Sequence, residues 1–389
     1  SVPAGSYGLT PAELAAIDPS GIGVNPDVIS YLIQFPNVNS VGSRDNINIG
    51  GFRFNSPVSN DFKTYIARVD FNLTADGNHT LFARGSLQDD QIVSFGPAFP
   101  GQPDQQLLLG NSRGLALGYK AVLSPTAVNN FRYGYTRIGE KFSGILNSEF
   151  ADLRFIDELN GLDSPDGGSS TIANRGRQLP AHHIRDDFSV TKGSHTISLG
   201  GEARFTRNNR ASNAATFNTF SVNPSWLPNV GRNTRPGSTD CFVTAGCTAV
   251  PAVQSGQGSL WNDTAPNLLG IITQVNGQFN FQIDGTVQAS GDPLVRRFAV
   301  DEYEVYLQDQ WRMTPTLTLT YGTRFFVSSP PWETNGNQVV PTPNLGNWFE
   351  LRRTLMLSGL PVSDAPRLAF EPGGPANDAR GYYAWDWNN

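Results

Sequence analysis

Residues 110–114 read Gly-Asn-Ser-Arg-Gly, the G-x-S-x-G spacing of a serine-hydrolase elbow. That elbow needs a helix directly after the serine. Here "LALGYKAVL" follows, which alternates like a strand, so Ser112 is not expected to be a nucleophile. Glu302 and Glu304 fall on one face of a strand and resemble an acid/base pair, but they also suit a charged wall with no chemistry. His182 and His183 are adjacent, so on a strand they point opposite ways and make a poor metal pair. "DSPDGG" at 163–168 has too few alternating acids for a high-affinity calcium loop. The "NLT", "NHT" and "NDT" triplets match the glycosylation sequon, but two fall in or beside strands, and chance explains them better. The residues therefore point to no catalytic set, no metal and no cofactor.

The charges are more informative. Charged residues are only 16% of the 389-residue chain, below the roughly 25% of ordinary soluble domains. Of the 28 cationic side chains, only Lys63, Lys120, Lys141 and Lys192 are lysines. Arginine is the cation suited to fixed, bidentate pairing with carboxylates in partly buried places. A net charge of −6 leaves no basic surplus for phosphate neutralisation and argues against a nucleic-acid partner. Cys241 and Cys247, in "DCFVTAGC", are close enough in a loop to form a disulfide, which suits an oxidising compartment. Two free thiols are the alternative.

Strands must position these charges. "YIARVDFNLT" sets Tyr65, Ala67, Val69, Phe71 and Leu73 against Arg68, Asp70 and Asn72. "YEVYLQDQWRMTPTLTLTYGTRF" repeats the alternation on both sides of a short turn. "TLFARGSLQ", "GLALGYKAVL", "NFRYGYTR", "HIRDDFSVT" and "TISLGGEARFT" complete eight strands in four hairpins, all of period two. Arg68, Arg84, Arg132, Arg204, Glu202, Glu302, Glu304 and Arg324 share the polar parity, as do Arg185, Arg312, Asp70 and Asp187. Asp186 and Asp309 fall on the apolar parity, where a charge is cheap only near a membrane interface. The turns "ADGNH", "SPTAVN", "KGSH" and "MTPT" are short, whereas the expected connections 89–112, 139–183 and 208–301 are long. Short turns at one end and long loops at the other are the pattern of an outer-membrane barrel. No run of eighteen apolar residues offers a transmembrane helix.

Outside the hairpins, "LTPAELAAIDP" carries Thr10, Pro11 and Glu13 in a capping-box arrangement, and "NPDVISYLIQF" is a second candidate helix. Residues 1–60 thus read as a loop and short-helix segment leading into the barrel, which occupies 61–389. Residues 334–380 are rich in Pro and Gly and read as loop. "RGYYAWDWNN" resembles the start of a strand that is not completed, so the chain reads as a barrel fragment. Trp226, Trp261, Phe279 and Phe281, set among Asn, Gln and Ser in the longest connection, are candidate ligand contacts. Packing of the loop onto itself is the competing role, and "QFNFQIDGTVQASG" reads as a small hairpin with Phe279 and Phe281 on its apolar side.

"GGFRFNSPVSNDFKTYIARVDFNLTADGNHTLFARG", "NNFRYGYTR", "TKGSHTISLGGEARF" and "DEYEVYLQDQWRMTPTLTLTYGTRF...SPPWETNGNQV" together resemble the barrel of TonB-dependent outer-membrane receptors. The Oar-like branch, whose members carry a carboxypeptidase-regulatory-like domain at the N-terminus, is the nearest in appearance. The resemblance implies an all-β, antiparallel up-and-down barrel of 22 strands in the outer membrane of a Gram-negative bacterium. It also implies a plug domain and energised import through a TonB complex. The chain departs from the pattern in lacking a plug, a TonB box and a closing aromatic strand. An outer-membrane receptor for a large ligand (siderophore, oligosaccharide or peptide) is the expected function. A cell-surface β-rich adhesion protein and a carbohydrate-active enzyme on a β scaffold are the alternatives.

Overall fold

The computed structural model describes residues 8–33, 35–40, 51–97, 99–144, 174–216, 218–221, 234–239, 241–254, 256–272 and 274–377. Trp226, "DSPDGG" and "RGYYAWDWNN" lie outside these residues. Among the described residues no helix is long and apolar enough to cross a membrane.

One antiparallel sheet dominates. Its strands are β1 (Asp61–Asn72), β2 (His79–Phe95), β3 (Gln106–Gly110), β4 (Arg113–Ser124), β5 (Ala127–Gly144), β6 (Arg175–Lys192) and β7 (His195–Ser212). Two three-residue strands, β8 (Thr219–Ser221) and β9 (Gln274–Asn276), pair separately. The main sheet continues with β10 (Leu294–Thr314), β11 (Leu317–Ser328) and the short β12 (Trp332–Glu333). The order is β1-β2-β3-β5-β6-β7-β10-β11, with β4 between β2 and β5 as well. β3 and β4 lie end to end: β2 pairs β4 through His79–Leu87 and β3 through Asp90–Phe95.

Each long hairpin closes as its turn chemistry dictates. Pro125-Thr126, Gly193-Ser194 and Pro315-Thr316 are two-residue connections, and Gly193 supplies a φ of 63° that other residues avoid. The four expected hairpins are all present. Their strands, however, run well past the apolar alternation. The connections expected at 89–112, 139–183 and 208–301 contract to 96–105, 145–174 and 213–293. The added stretches, such as "DDQIVSF", "QLLLG" and "LVRRFAVD", mix polar and apolar residues without a strict period of two, so no alternation marks them in the sequence.

The apolar parity forms continuous rows. Val69, Ala83, Leu117, Tyr133, Ile184, Ala203, Tyr303 and Val327 are direct cross-strand partners in one such row. A soluble sandwich would bury this face under a second sheet. Here Val69, Val305, Leu307 and Phe325 remain 53%, 57%, 51% and 65% exposed. A contiguous apolar face of that size is compatible with hydrocarbon rather than water.

The folded core lies off the sheet, on the side of the long connections. Helices Pro11–Ile17, Pro26–Leu32, Thr244–Ala249 and Gly258–Leu268 gather there. Thr10 and Glu13 form the capping box, each side chain accepting from the other's backbone N–H. Leu14 and Ile17 are buried with Cys241, Cys247, Val250 and Leu269. The two cysteines are joined, with Cα atoms 6.4 Å apart. The Asn25 N–H donates to the Leu268 carbonyl at 2.9 Å. A Cβ on Gly246 would lie 1.9 Å from the Ala16 carbonyl oxygen, so helix 244–249 approaches the first helix as closely as glycine allows. The segment before β1 and the connection after β7 thus share one small core.

The region expected as loop at 334–380 is partly ordered. It holds helix Leu345–Leu357 and a ribbon of β13 (Val339–Pro341) with β14 (Phe370–Pro372). Asn344 caps the helix by accepting from the Asn347 N–H at 3.0 Å. The flanking prolines and glycines mask this 13-residue helix in composition alone.

Candidate functional site

The opposite face of the sheet carries the polar parity, and its register gathers the charges into three consecutive rows. The first row runs Arg68, Arg84, Ala116, Gly134, His183, Arg204, Glu302, Ser328. The second holds Arg132, Arg185, Glu202 and Glu304 as successive cross-strand partners. The third holds Asp187, Gly200, Tyr306 and Arg324. All eight sequence-selected wall charges therefore stand within three rows.

Across β6, β7, β10 and β11 the charges compensate one another. Arg185 Nε lies 2.8 Å from Asp187 and its Nη1 3.5 Å from Glu202. His183 Nε2 is 3.2 Å from Glu202. Arg204 reaches Glu302 at 3.3 Å, and Arg324 reaches Glu304 at 2.8 Å. Tyr306 Oη donates to Asp187 at 2.7 Å, crossing β7 to do so. Gly200 makes that crossing possible, since a Cβ there would lie 2.7 Å from the Tyr306 ring and 2.6 Å from the Asp186 carbonyl. Arg324 stacks 5.4 Å above the same ring. Near the other edge, Arg68 lies 4.6 Å over Phe82, and Phe82 covers Gly118. A groove of about 360 Å³ runs there, lined by Arg68, Asp70, Phe82, Lys120, Asn130 and Arg132.

Such a wall keeps fixed charges of both signs side by side. Glu302 and Glu304, the acid/base candidates, are each engaged by an arginine. Ser112 lies between two strands, with its carbonyl accepting from the Gln88 N–H at 2.9 Å, and no helix follows it. Among the described residues no group of three metal-ligating side chains exists.

The two aspartates on the apolar parity are not bare. Asp186 accepts from Asn129 Nδ2 at 2.8 Å. Asp309 accepts from Tyr321 Oη at 2.7 Å and lies 2.7 Å from His195 Nδ1. On the same face of β10, Asp301 is held by Arg207 at 2.6 Å. Tyr303, Val305 and Leu307 lie between Asp301 and Asp309. Those eight steps cover about 26 Å along the strand, or about 20 Å of depth at a 40° tilt. Paired aspartates therefore bracket an apolar band of nearly membrane thickness.

The loop aromatics divide. Phe279 and Phe281 are 66% and 56% exposed. They stand beside a tight hairpin in which Phe281 faces Val287 and Gln282 N–H donates to the Thr286 carbonyl. Trp261 instead packs against the disulfide cluster. The structure does not bring Trp261 together with the two phenylalanines in that cluster. Sequence reading missed Tyr306 and Gly200 as a unit, and it left Arg175, Arg177, Arg210 and Arg296 in connections. The signal for the arginines was parity: 175 and 177 continue the odd positions of Arg185 and Asp187, and 210 continues the even positions of Glu202 and Arg204.

A family model for an outer membrane beta barrel domain matches residues 10–389. No curated protein matches the sequence. Among solved structures, the outer membrane transporter YddB from Escherichia coli is similar at 12% identity and a TM-score of 0.36, over 70% of this chain and 29% of that one. The ferripyoverdine receptor of the Pseudomonas aeruginosa outer membrane is similar at 12% identity and a TM-score of 0.38, over 70% and 32%. BauA, the ferric preacinetobactin receptor from Acinetobacter baumannii, is similar at 12% identity and a TM-score of 0.33, over 71% and 36%. The chain thus matches about a third of the length of each of these structures.

Proposed function

This chain belongs to the outer membrane beta barrel domain family, and we propose that it forms part of the wall of a receptor that imports a large ligand across the outer membrane. The observation that carries this reading is the contrast between the two faces of one sheet. One face is a compensated belt of fixed charges, and the other is an exposed apolar band bracketed by paired aspartates. A belt of both signs lines a water-filled interior and lets a polar ligand pass without burying an unpaired charge. Energy from a TonB complex and membership of the Oar-like branch belong to the same proposal, supported by the order of the hairpin motifs. β1 and β11 each pair on one side only among the described residues. Open edges are not tolerated in hydrocarbon, so further strands close the barrel.

Adjacent single cysteines test the orientation. Glu304→Cys is expected to react with a water-soluble maleimide in intact outer membranes, and Val305→Cys only with a lipid-soluble reagent. Ready aqueous labelling of Val305→Cys would reject the barrel wall. Import is tested separately by ligand uptake in cells with and without a working TonB complex.

A further inference from the structure

Above the compensated belt, on the side of the long connections, the polar face changes character. Glu140, Arg177, Arg210 and Arg296 are direct cross-strand partners on β5, β6, β7 and β10. They share the parity of Arg185, Glu202 and Glu304, so they line the interior and not the lipid face. Like charges directly opposite each other destabilise a sheet. The belt below also sets like charges opposite each other, at Arg132–Arg185 and Glu202–Glu304, but offsets them with ion pairs such as Arg185–Glu202 and Arg324–Glu304, whereas this row places three arginines side by side with one glutamate.

Only Arg177 has an acidic partner among the described residues, Glu140 at 2.6 Å. Arg296 donates to the carbonyl of its neighbour Val295 at 3.0 Å and makes no ion pair among the described residues. Arg210 is exposed and has no acidic partner among the described residues. Arg175, two residues before Arg177 on the same face, stacks 4.2 Å over Phe142 and adds a further positive charge. Among the described residues, positive charge thus outnumbers negative charge along this row, at one rim of the inner wall of a chain whose net charge is −6.

We propose that this row is an anion-binding site at the mouth of the barrel, taking a ligand with two or more carboxylate or phosphate groups. Neighbouring strands are about 4.8 Å apart, so three arginines span about 10 Å. That spacing suits a di- or triacid better than a single small ion. Guanidinium groups bind both oxyanions through paired N–H donors. The inner-face position favours a soluble anion over the phosphates of an outer-leaflet lipid. Because the site rests on the receptor reading for its interior position, it deepens that reading by naming the ligand class.

The test uses the full-length protein in detergent, titrated calorimetrically with citrate and with tripolyphosphate. Arg210→Gln combined with Arg296→Gln is expected to weaken both anions at least tenfold. Arg297→Gln, one position away on the outer face, is expected to change them less than twofold. Without anion, the double variant is expected to melt at the same or a higher temperature, because it relieves repulsion. Equal losses in Arg297→Gln would reduce the effect to general charge and overturn the site. A fall in melting temperature would assign the row to ion pairs with the chain's own acids and also overturn it. Vesicles of an anionic lipid serve as a further probe, and loss of vesicle binding in the double variant without loss of citrate binding would overturn the soluble-anion assignment. Uptake is read separately: intact anion binding without import rejects the receptor reading alone, and import unaffected by the double variant rejects the site alone.

Discussion

Gly200 and Tyr306 show how single positions build the wall. The glycine gives up a side chain so that a tyrosine two strands from Asp187 reaches it. On the other face, depth decides the cost of a charge. Val305 sits midway between Asp301 and Asp309, whereas Leu319 pairs with Trp311, beyond Asp309 toward the short turn. Arg at position 305 is therefore expected to cost about 2–4 kcal/mol, and Arg at 319 about 0–1 kcal/mol, because the penalty falls toward the interface. Urea unfolding of the two variants in lipid vesicles measures both. Equal costs would show that the paired aspartates do not mark the edges of the band. The wall charges themselves were legible from parity alone, since alternation fixes the face of each residue on a strand. Their partners were not, because ion pairs such as Arg204–Glu302 join positions 98 residues apart.

At the scale of elements, the helical cluster beside the barrel has its own stability. Asp18, only 3% exposed, ends the first helix and accepts from Ser20 Oγ and from the N–H groups of Ser20, Ile22 and Gly23. Burial pushes its carboxyl up, but these four hydrogen bonds outweigh burial and hold it below its ordinary value. A depressed folded-state pKa contributes stability that is present above the unfolded value and lost as pH falls through the folded one. The cluster is therefore expected to keep its protection at neutral pH and to loosen below about pH 4. Hydrogen exchange of residues 8–33 at pH 7 and at pH 3 reports this. Asp18→Ala is expected to lower local protection by about 2 kcal/mol at pH 7, by orphaning buried N–H donors, and to flatten the pH dependence. The capping box was readable in "LTPAEL", but the docking of that helix on the disulfide segment was not, because its partner lies more than two hundred residues away.

At the scale of the molecule, the sheet is a wall whose two edge strands each pair on one side only among the described residues. β1 and β11 expose every residue along their lengths except Ser328 at the end of β11. Natural proteins cover or blunt such long edges. The chain expressed by itself is expected to lack the heat-dependent shift in gel mobility that closed barrels show, and the full-length protein to show it. A heat-modifiable band from residues 1–389 alone would mean that this chain closes its own barrel, as an oligomer or otherwise.

The sequence by itself determined the four hairpins, the parity of the wall charges within the apolar alternation and the asymmetry between turns and loops. These follow from local rules, the period of two and the chemistry of Pro and Gly in tight turns. The full length of the strands, the helix at 345–357, the shared core of two distant segments and the arginine row were decided only in three dimensions. A row across a sheet is a property of register, and register sets residues beside one another that no stretch of sequence joins. Beyond the apolar band both faces of a strand meet water, so the alternation that reveals a strand fades where the charges of the rim begin.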